Sequence, residues 1–98
     1  MRADKKQKSF DVPIDPEIPL FIISVVSTMV DIPIWTLRKL DEMGIVKPSR
    51  IGKKTRCYSH VQLKTLQYVH YLMEERGVNI SGIKIILEIE EKDEPLKG

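Results

Sequence analysis

Seven cations, Arg38, Lys39, Lys47, Arg50, Lys53, Lys54 and Arg56, fall between residues 33 and 58 against two acidic side chains, a local balance of +5. Residues 74 to 98 carry four positive and seven negative charges, a balance of −3, so the overall charge of +2 conceals a polarised chain. Arginine offers a planar fork that meets a phosphate or a guanine edge with two hydrogen bonds, and lysine adds a mobile point charge. Cations concentrated in one segment of an otherwise balanced chain suit a polyanionic partner.

Other chemistries find no foothold. No Ser, His and Asp set, paired carboxylates in an apolar setting or glycine-rich phosphate loop occurs at a usable spacing, so the chain reads as a non-enzyme with no cofactor. The single cysteine, Cys57, cannot form an internal disulfide, and with His60 and His70 it makes no recognised metal spacing. Cys57 is expected to be a small buried hydrophobe on the inner face of a strand, and both histidines to lie at or near the surface. The longest apolar run, Ile18 to Val30, is broken by Pro19, Ser24, Ser27 and Thr28, and falls short of the ~20 residues that span a bilayer. The basic start is not followed by an apolar signal segment, and the expected location is the cytoplasm, away from membranes.

The basic segment needs a scaffold, and 98 residues with 42% hydrophobic and 31% charged content fit one small domain. Leu20 to Ile23 is short and β-prone, with Ser24 as the expected N-cap of a first helix that buries Val25, Val26 and Met29. Asp31-Ile32-Pro33 punctuates the chain. A second helix then runs from Ile34 to Met43, with Ile34, Leu37, Leu40 and Met43 inward and Trp35, Thr36, Arg38, Lys39 and Glu42 outward, and Gly44 closes it in a left-handed cap. Lys47 to Tyr58 follows as a basic hairpin turning at Gly52 and Lys53. A tight helix pair leading into such a hairpin is a winged helix-turn-helix pattern, with the outer face of the second helix as the candidate reader.

Ser59 and Gln62 form a capping-box pattern opening a third helix that buries Leu63, Leu66, Val69, Leu72 and Met73 and ends at Gly77. A fourth begins near Asn79 or Ser81, turns Ile83, Ile86, Leu87 and Ile89 inward and dissolves in the charged stretch before Pro95. The expected organisation is a flexible N-terminal arm over 1–19, one domain over 20–91 and a charged tail over 92–98.

Taken in order, Ile23-Ser24-Val25-Val26, Thr36-Leu37-Arg38, Gly44-Ile45-Val46-Lys47-Pro48-Ser49-Arg50, Arg56-Cys57-Tyr58-Ser59 and Gly77 to Leu87 resemble the N-terminal domain of MerR-type transcription regulators. Within that family the chain is most similar to HspR-like heat-shock repressors, over roughly residues 20 to 90. The resemblance implies a mainly α fold of four helices with a small β hairpin. It also implies a sequence-specific, repressing regulator of transcription that sets its second helix in the major groove of double-stranded DNA and its wing on the phosphates. Thr36 and Arg38 match the family's helix motif and Arg56 and Tyr58 its wing motif, with the Tyr58 hydroxyl expected on a phosphate oxygen; Lys39, Arg50, Lys53 and Lys54 complete the basic set.

The chain departs from the family in three places. Lys39 and Leu40 replace a pair of aromatics, Asp31 and Pro33 replace the usual turn residues, and no counterpart of the long dimerisation helix of related regulators is expected in the few polar residues after the fourth helix. The expected states are therefore a monomer, or a weak homodimer through Ile85, Ile89 and the last two helices. A chaperone or RNA polymerase contact stands as a further partner. Trp35 either stacks on the DNA backbone or packs under the wing, Lys53 and Lys54 either touch phosphate or merely solubilise the tip, and Tyr68 and Tyr71 sit at a core edge or an interface. Two other functions remain open: an excisionase-type factor that bends DNA, and an interaction module whose wing docks an acidic partner such as a chaperone.

Overall fold

The computed structural model describes residues 14–93. The basic cluster at Lys5, Lys6 and Lys8, the greater part of the proposed flexible arm, and the end of the charged tail lie outside these residues. Strand β1 (Pro19–Ile22) leads without a gap into helix α1 (Ile23–Val30), and helix α2 (Ile34–Glu42) follows after a three-residue turn. Strands β2 (Ser49–Ile51) and β3 (Thr55–Ser59) form the hairpin, and helices α3 (His60–Glu74) and α4 (Ile80–Asp93) complete the described residues.

The four helices, the hairpin and the short strand before the first helix agree with the sequence reading, except that the strand covers Pro19–Ile22 and Ile23 already opens the helix; this strand joins the hairpin in one sheet. Its order is β1-β3-β2, antiparallel throughout, so β3 is central and β1 backs the hairpin. Phe21 pairs with Tyr58 and Ile22 with Cys57, after an irregularity between Pro19 and Phe21. Cys57 is buried as expected, but so are its neighbours Tyr58 and Ser59. A simple inside-outside alternation fails there because β3 is flanked by a strand on each side and packs against α1 and α3.

The core is built from Val26 and Val30 of α1, Leu37 and Leu40 of α2, Tyr58 of β3, Leu63, Leu66, Val69 and Leu72 of α3 and Ile83 of α4, joined by Ile32 and Val46 from the connections. The periodicity of α2 and α3 located their buried faces. That of α1 did not: Val26 and Val30 face inward, whereas Val25 and Met29 are exposed. In a helix of two turns, several apolar residues in succession leave the direction of the face to be decided by what packs against it. Ser24 is likewise a helical residue; the N-cap is Ile22, with no side-chain hydrogen bond. In α4 Ile89 is exposed rather than inward, and the helix persists to Asp93 through the acidic stretch expected to dissolve it. The α3 capping box is present: the Gln62 amide donates to Ser59 Oγ at 3.1 Å and the Ser59 amide to Gln62 Oε1 at 3.0 Å.

Candidate nucleic-acid interface

The turn between α1 and α2 is fixed by its own chemistry. Asp31 takes the left-handed conformation at φ 58°, which Asp tolerates better than most residues, and closes α1. Ile32 then donates its amide to the Ser27 carbonyl, and Ser27 Oγ donates back to the Ile32 carbonyl at 2.6 Å. Pro33, extended at the N-cap, accepts from the Thr36 and Leu37 amides at 3.0 Å each and starts α2. Sequence reasoning took Ser27 as a polar break in an apolar run and missed this second tie, which only the tight turn brings within reach.

At its other end α2 stops at Gly44, whose φ of 74° is open to glycine at little cost, while Ile45 donates back to the Leu40 carbonyl at 2.8 Å. Lys84 of α4 adds a 3.4 Å hydrogen bond to the Met43 carbonyl, placing a cation at the negative end of the α2 dipole. With Leu37 and Leu40 buried beneath it, α2 is held at both ends and along its base.

Its outer surface is left uncovered by the other described residues. Trp35 is 74% exposed, which rules out packing under the wing. Arg38 and Lys39 are exposed, and among the described residues neither has an ion-pair partner. Thr36 is half-buried. Trp35, Arg38 and Asp41 recur at three-residue intervals, so they form one stripe along the helix.

The wing attaches to the C-terminal end of that stripe. Arg50 and Arg56 face each other across the hairpin, a like-charge pair that repels unless an anion lies between. Asp41 supplies the anion: Arg56 donates Nε–H to its Oδ2 at 2.8 Å and Arg50 donates through Nη2 to the same oxygen at 2.9 Å. The Asp41 and Arg56 side chains are 11% and 18% exposed, while that of Arg50 is 43% exposed. Arg56 is thus a largely enclosed strut rather than a free phosphate grip, and Arg50 keeps part of its fork toward solvent. Sequence reasoning counted Asp41 as one of two stray negatives. The signal was an acid in a basic segment, but its role depends on a hairpin that brings two arginines back onto the helix.

Lys53 and Lys54 sit in the three-residue loop between Ile51 and Thr55 and are fully on the surface. Gly52 and Lys53 both carry positive φ, 60° and 83°, which gives the tight hairpin its reversal. A further tie, from Gln62 Nε2 to the Lys47 carbonyl at 2.7 Å, secures the approach to the wing from the first turn of α3.

Tyr58 corrects the expectation of a phosphate contact. Its side chain is wholly inside the core, and among the described residues its hydroxyl has no hydrogen-bond partner. Burial, reinforced by the nearby Asp41 carboxylate and opposed by Arg56 and Arg50, pushes the phenol up to about 12. The family motif was read as a surface tyrosine, whereas the central position of β3 turns it inward.

A stabilised helix pair with a free outer stripe, and a hairpin leaning back onto the second helix, define a winged helix-turn-helix domain. The family model for MerR HTH family regulatory proteins matches residues 21–89, and the chain belongs to that family of DNA-binding transcription regulators. Over 74 residues it is 35% identical to a Streptomyces coelicolor protein that carries the name heat shock protein HspR. The matched segment takes in 76% of this chain and 49% of that protein, so the chain spans about half the length of the curated relative. Among the described residues no helix is long and apolar enough to cross a membrane, and no group of His, Cys, Asp or Glu is arranged to hold a metal ion.

Proposed function

We propose that this chain recognises a specific double-stranded DNA sequence as a transcriptional repressor, with α2 as the recognition helix in the major groove and the wing along the flanking backbone. The observation that carries the reading is the contrast on α2 itself: an apolar face sunk in the core, and an outer face with Trp35 exposed and with Arg38 and Lys39 lacking an ion-pair partner among the described residues. Arg38 is the base reader, Lys39, Lys53 and Lys54 meet phosphates, Arg50 meets one with the unpaired part of its fork, and Trp35 lies against the sugar-phosphate edge. The repressing sign is part of this proposal; it is supported by the resemblance to HspR-like repressors and by the ability of a bound domain to occupy its site on the duplex.

The test is selection of bound duplexes from a random pool, followed by a salt titration on the selected sequence. An enriched motif is expected, with a log-log salt slope of roughly −4 from these cations, so that a fourfold rise in salt weakens binding roughly 250-fold. A flat salt response, or a pool without enrichment, contradicts the reading. Sedimentation of the free and DNA-bound protein reports whether two copies pair through the exposed Ile85 and Ile89 of α4.

A further inference from the structure

We infer that Asp41 is a positioning residue for DNA discrimination: one carboxylate oxygen fixes the angle of the wing against the recognition helix, and this setting makes both elements fit the same stretch of duplex. The inference rests on the DNA-binding reading.

An acidic side chain on a DNA-facing helix is electrostatically out of place, because it repels the phosphates that its neighbours attract. Asp41 lies three residues beyond Arg38 on the same stripe, where it could pair with Arg38 along the helix. Instead Oδ2 takes hydrogen bonds from Arg56 at 2.8 Å and from Arg50 at 2.9 Å. Two consequences follow from that choice of partners. Arg38 stays free for a base edge. The hairpin, whose two arginines would otherwise repel across the strands, becomes tied to the helix at a point between its base and its tip.

The two arginines divide the work. Arg56, with its side chain 18% exposed and its Nε–H committed to Asp41, holds the wing strand in place. Arg50, 43% exposed and bonded through a single terminal nitrogen, spans from Asp41 to a phosphate with its remaining N–H groups. A wing held at a fixed angle lets α2 and the tip lysines engage together only where groove and backbone have the matching shape. A loose wing still finds phosphates on any sequence. Asp41 therefore acts on discrimination through Arg50 and Arg56, at the expense of raw charge attraction.

The test compares binding of the wild-type chain and Asp41→Asn to the selected duplex and to an unrelated duplex of equal length, with a thermal melt of each protein. For Asp41→Asn the expected result is selected-site binding about tenfold weaker, unrelated-duplex binding unchanged or up to about threefold tighter because a negative charge has gone, and a collapsed ratio between the two. In an Arg56→Gln background the same substitution should change the ratio little further, since its effect runs through that strut. A stability defect alone would weaken both duplexes in proportion, and that outcome overturns the inference. Proportional tightening on both also overturns it, since Asp41 would then merely compete with phosphate. So does an unchanged ratio. Should Asp41→Asn fail to fold, Asp41→Glu keeps the charge but lengthens the strut by one methylene, and about threefold lower discrimination is expected from displacing a preset contact by ~1 Å. A wild-type ratio in that variant rejects the inference. Absence of duplex binding by the wild-type chain rejects the DNA-binding reading itself, and is told apart from the other failures because it needs no variant.

Discussion

Arg38 on α2 and Arg56 on β3 carry the same guanidinium in opposite surroundings. Arg38 is exposed and without a partner among the described residues, whereas Arg56 is mostly enclosed and bonded to Asp41. Both were expected from the family resemblance to touch DNA and both add one charge to the same basic segment, yet the fold leaves one exposed and commits the other to Asp41. A cation in a basic stretch can meet DNA only with the N–H groups that the fold leaves uncommitted, a condition that leaves open the whole fork of Arg38 but only part of that of Arg50. Arg38 and Arg56 between them separate what the interface touches from what holds it in shape.

Substitutions can break that contrast or sharpen it. The largest effect on binding is expected from Arg38→Ala, which should cost about 1 to 3 kcal/mol on the selected duplex and relax base preference at one position. The same variant should leave the unfolding free energy within about 0.5 kcal/mol of wild type, as for other exposed side chains. Equal losses in binding and folding would erase the distinction between the two arginines. Arg56→Ala should do what Arg38→Ala does not and lower stability in a denaturant titration by about 1 to 2 kcal/mol. That figure lies below the full worth of a hydrogen bond between charged groups, because Arg50 still pairs with Asp41. An unchanged midpoint would mean that the strut carries no load in the free protein.

Tyr58 extends the comparison from charge to burial. Its phenol ionises near 10 when unfolded and about 12 when folded, so the folded chain holds the proton through a window in which the unfolded chain releases it. Its contribution is fully present below pH 10 and declines as pH rises from 10 toward 12, by up to about 2 kcal/mol. Tyr58→Phe should remove this part of the alkaline decline. It should cost little or nothing at neutral pH, because the hydroxyl it deletes is buried without a partner. An alkaline decline of wild-type size in Tyr58→Phe would show that the phenol reaches solvent after all. The smallest change is expected from Lys54→Ala at the wing tip: a uniform weakening of about 0.5 to 1 kcal/mol on every duplex, with a shallower salt slope and no change in preference.

The elements legible in the sequence share a property. Leu37 with Leu40, Leu63 through Leu72, the Ser59 and Gln62 capping box and the Gly44 stop are local signals, in which period, cap and turn residue agree within a few positions. Where two signals compete the reading went astray. In α1 the apolar succession Ile23, Val25, Val26, Met29 and Val30 allows several faces, and packing against α3 and β3 selected Val26 and Val30. Ile85 and Ile89 show the reverse, since their helical spacing is apolar but no element of the described fold lies over them.

The candidate site divides in the same way. Its location, and the outward direction of Trp35, Arg38 and Lys39, follow from helical period and charge alone, because a helix that buries Leu37 and Leu40 must turn those residues away. The assignment of Tyr58 to the interior, the ties of Asp41 to Arg50 and Arg56, and the pairing of the first strand with β3 depend on groups distant in the chain meeting in space. Composition and spacing determined that a basic helix-turn-helix with a wing would form, since those are properties of neighbouring residues. Only the folding of the hairpin onto α2 and of β1 onto β3 decided which charges remain available, because burial and pairing are set by whatever lies on the far side of a residue.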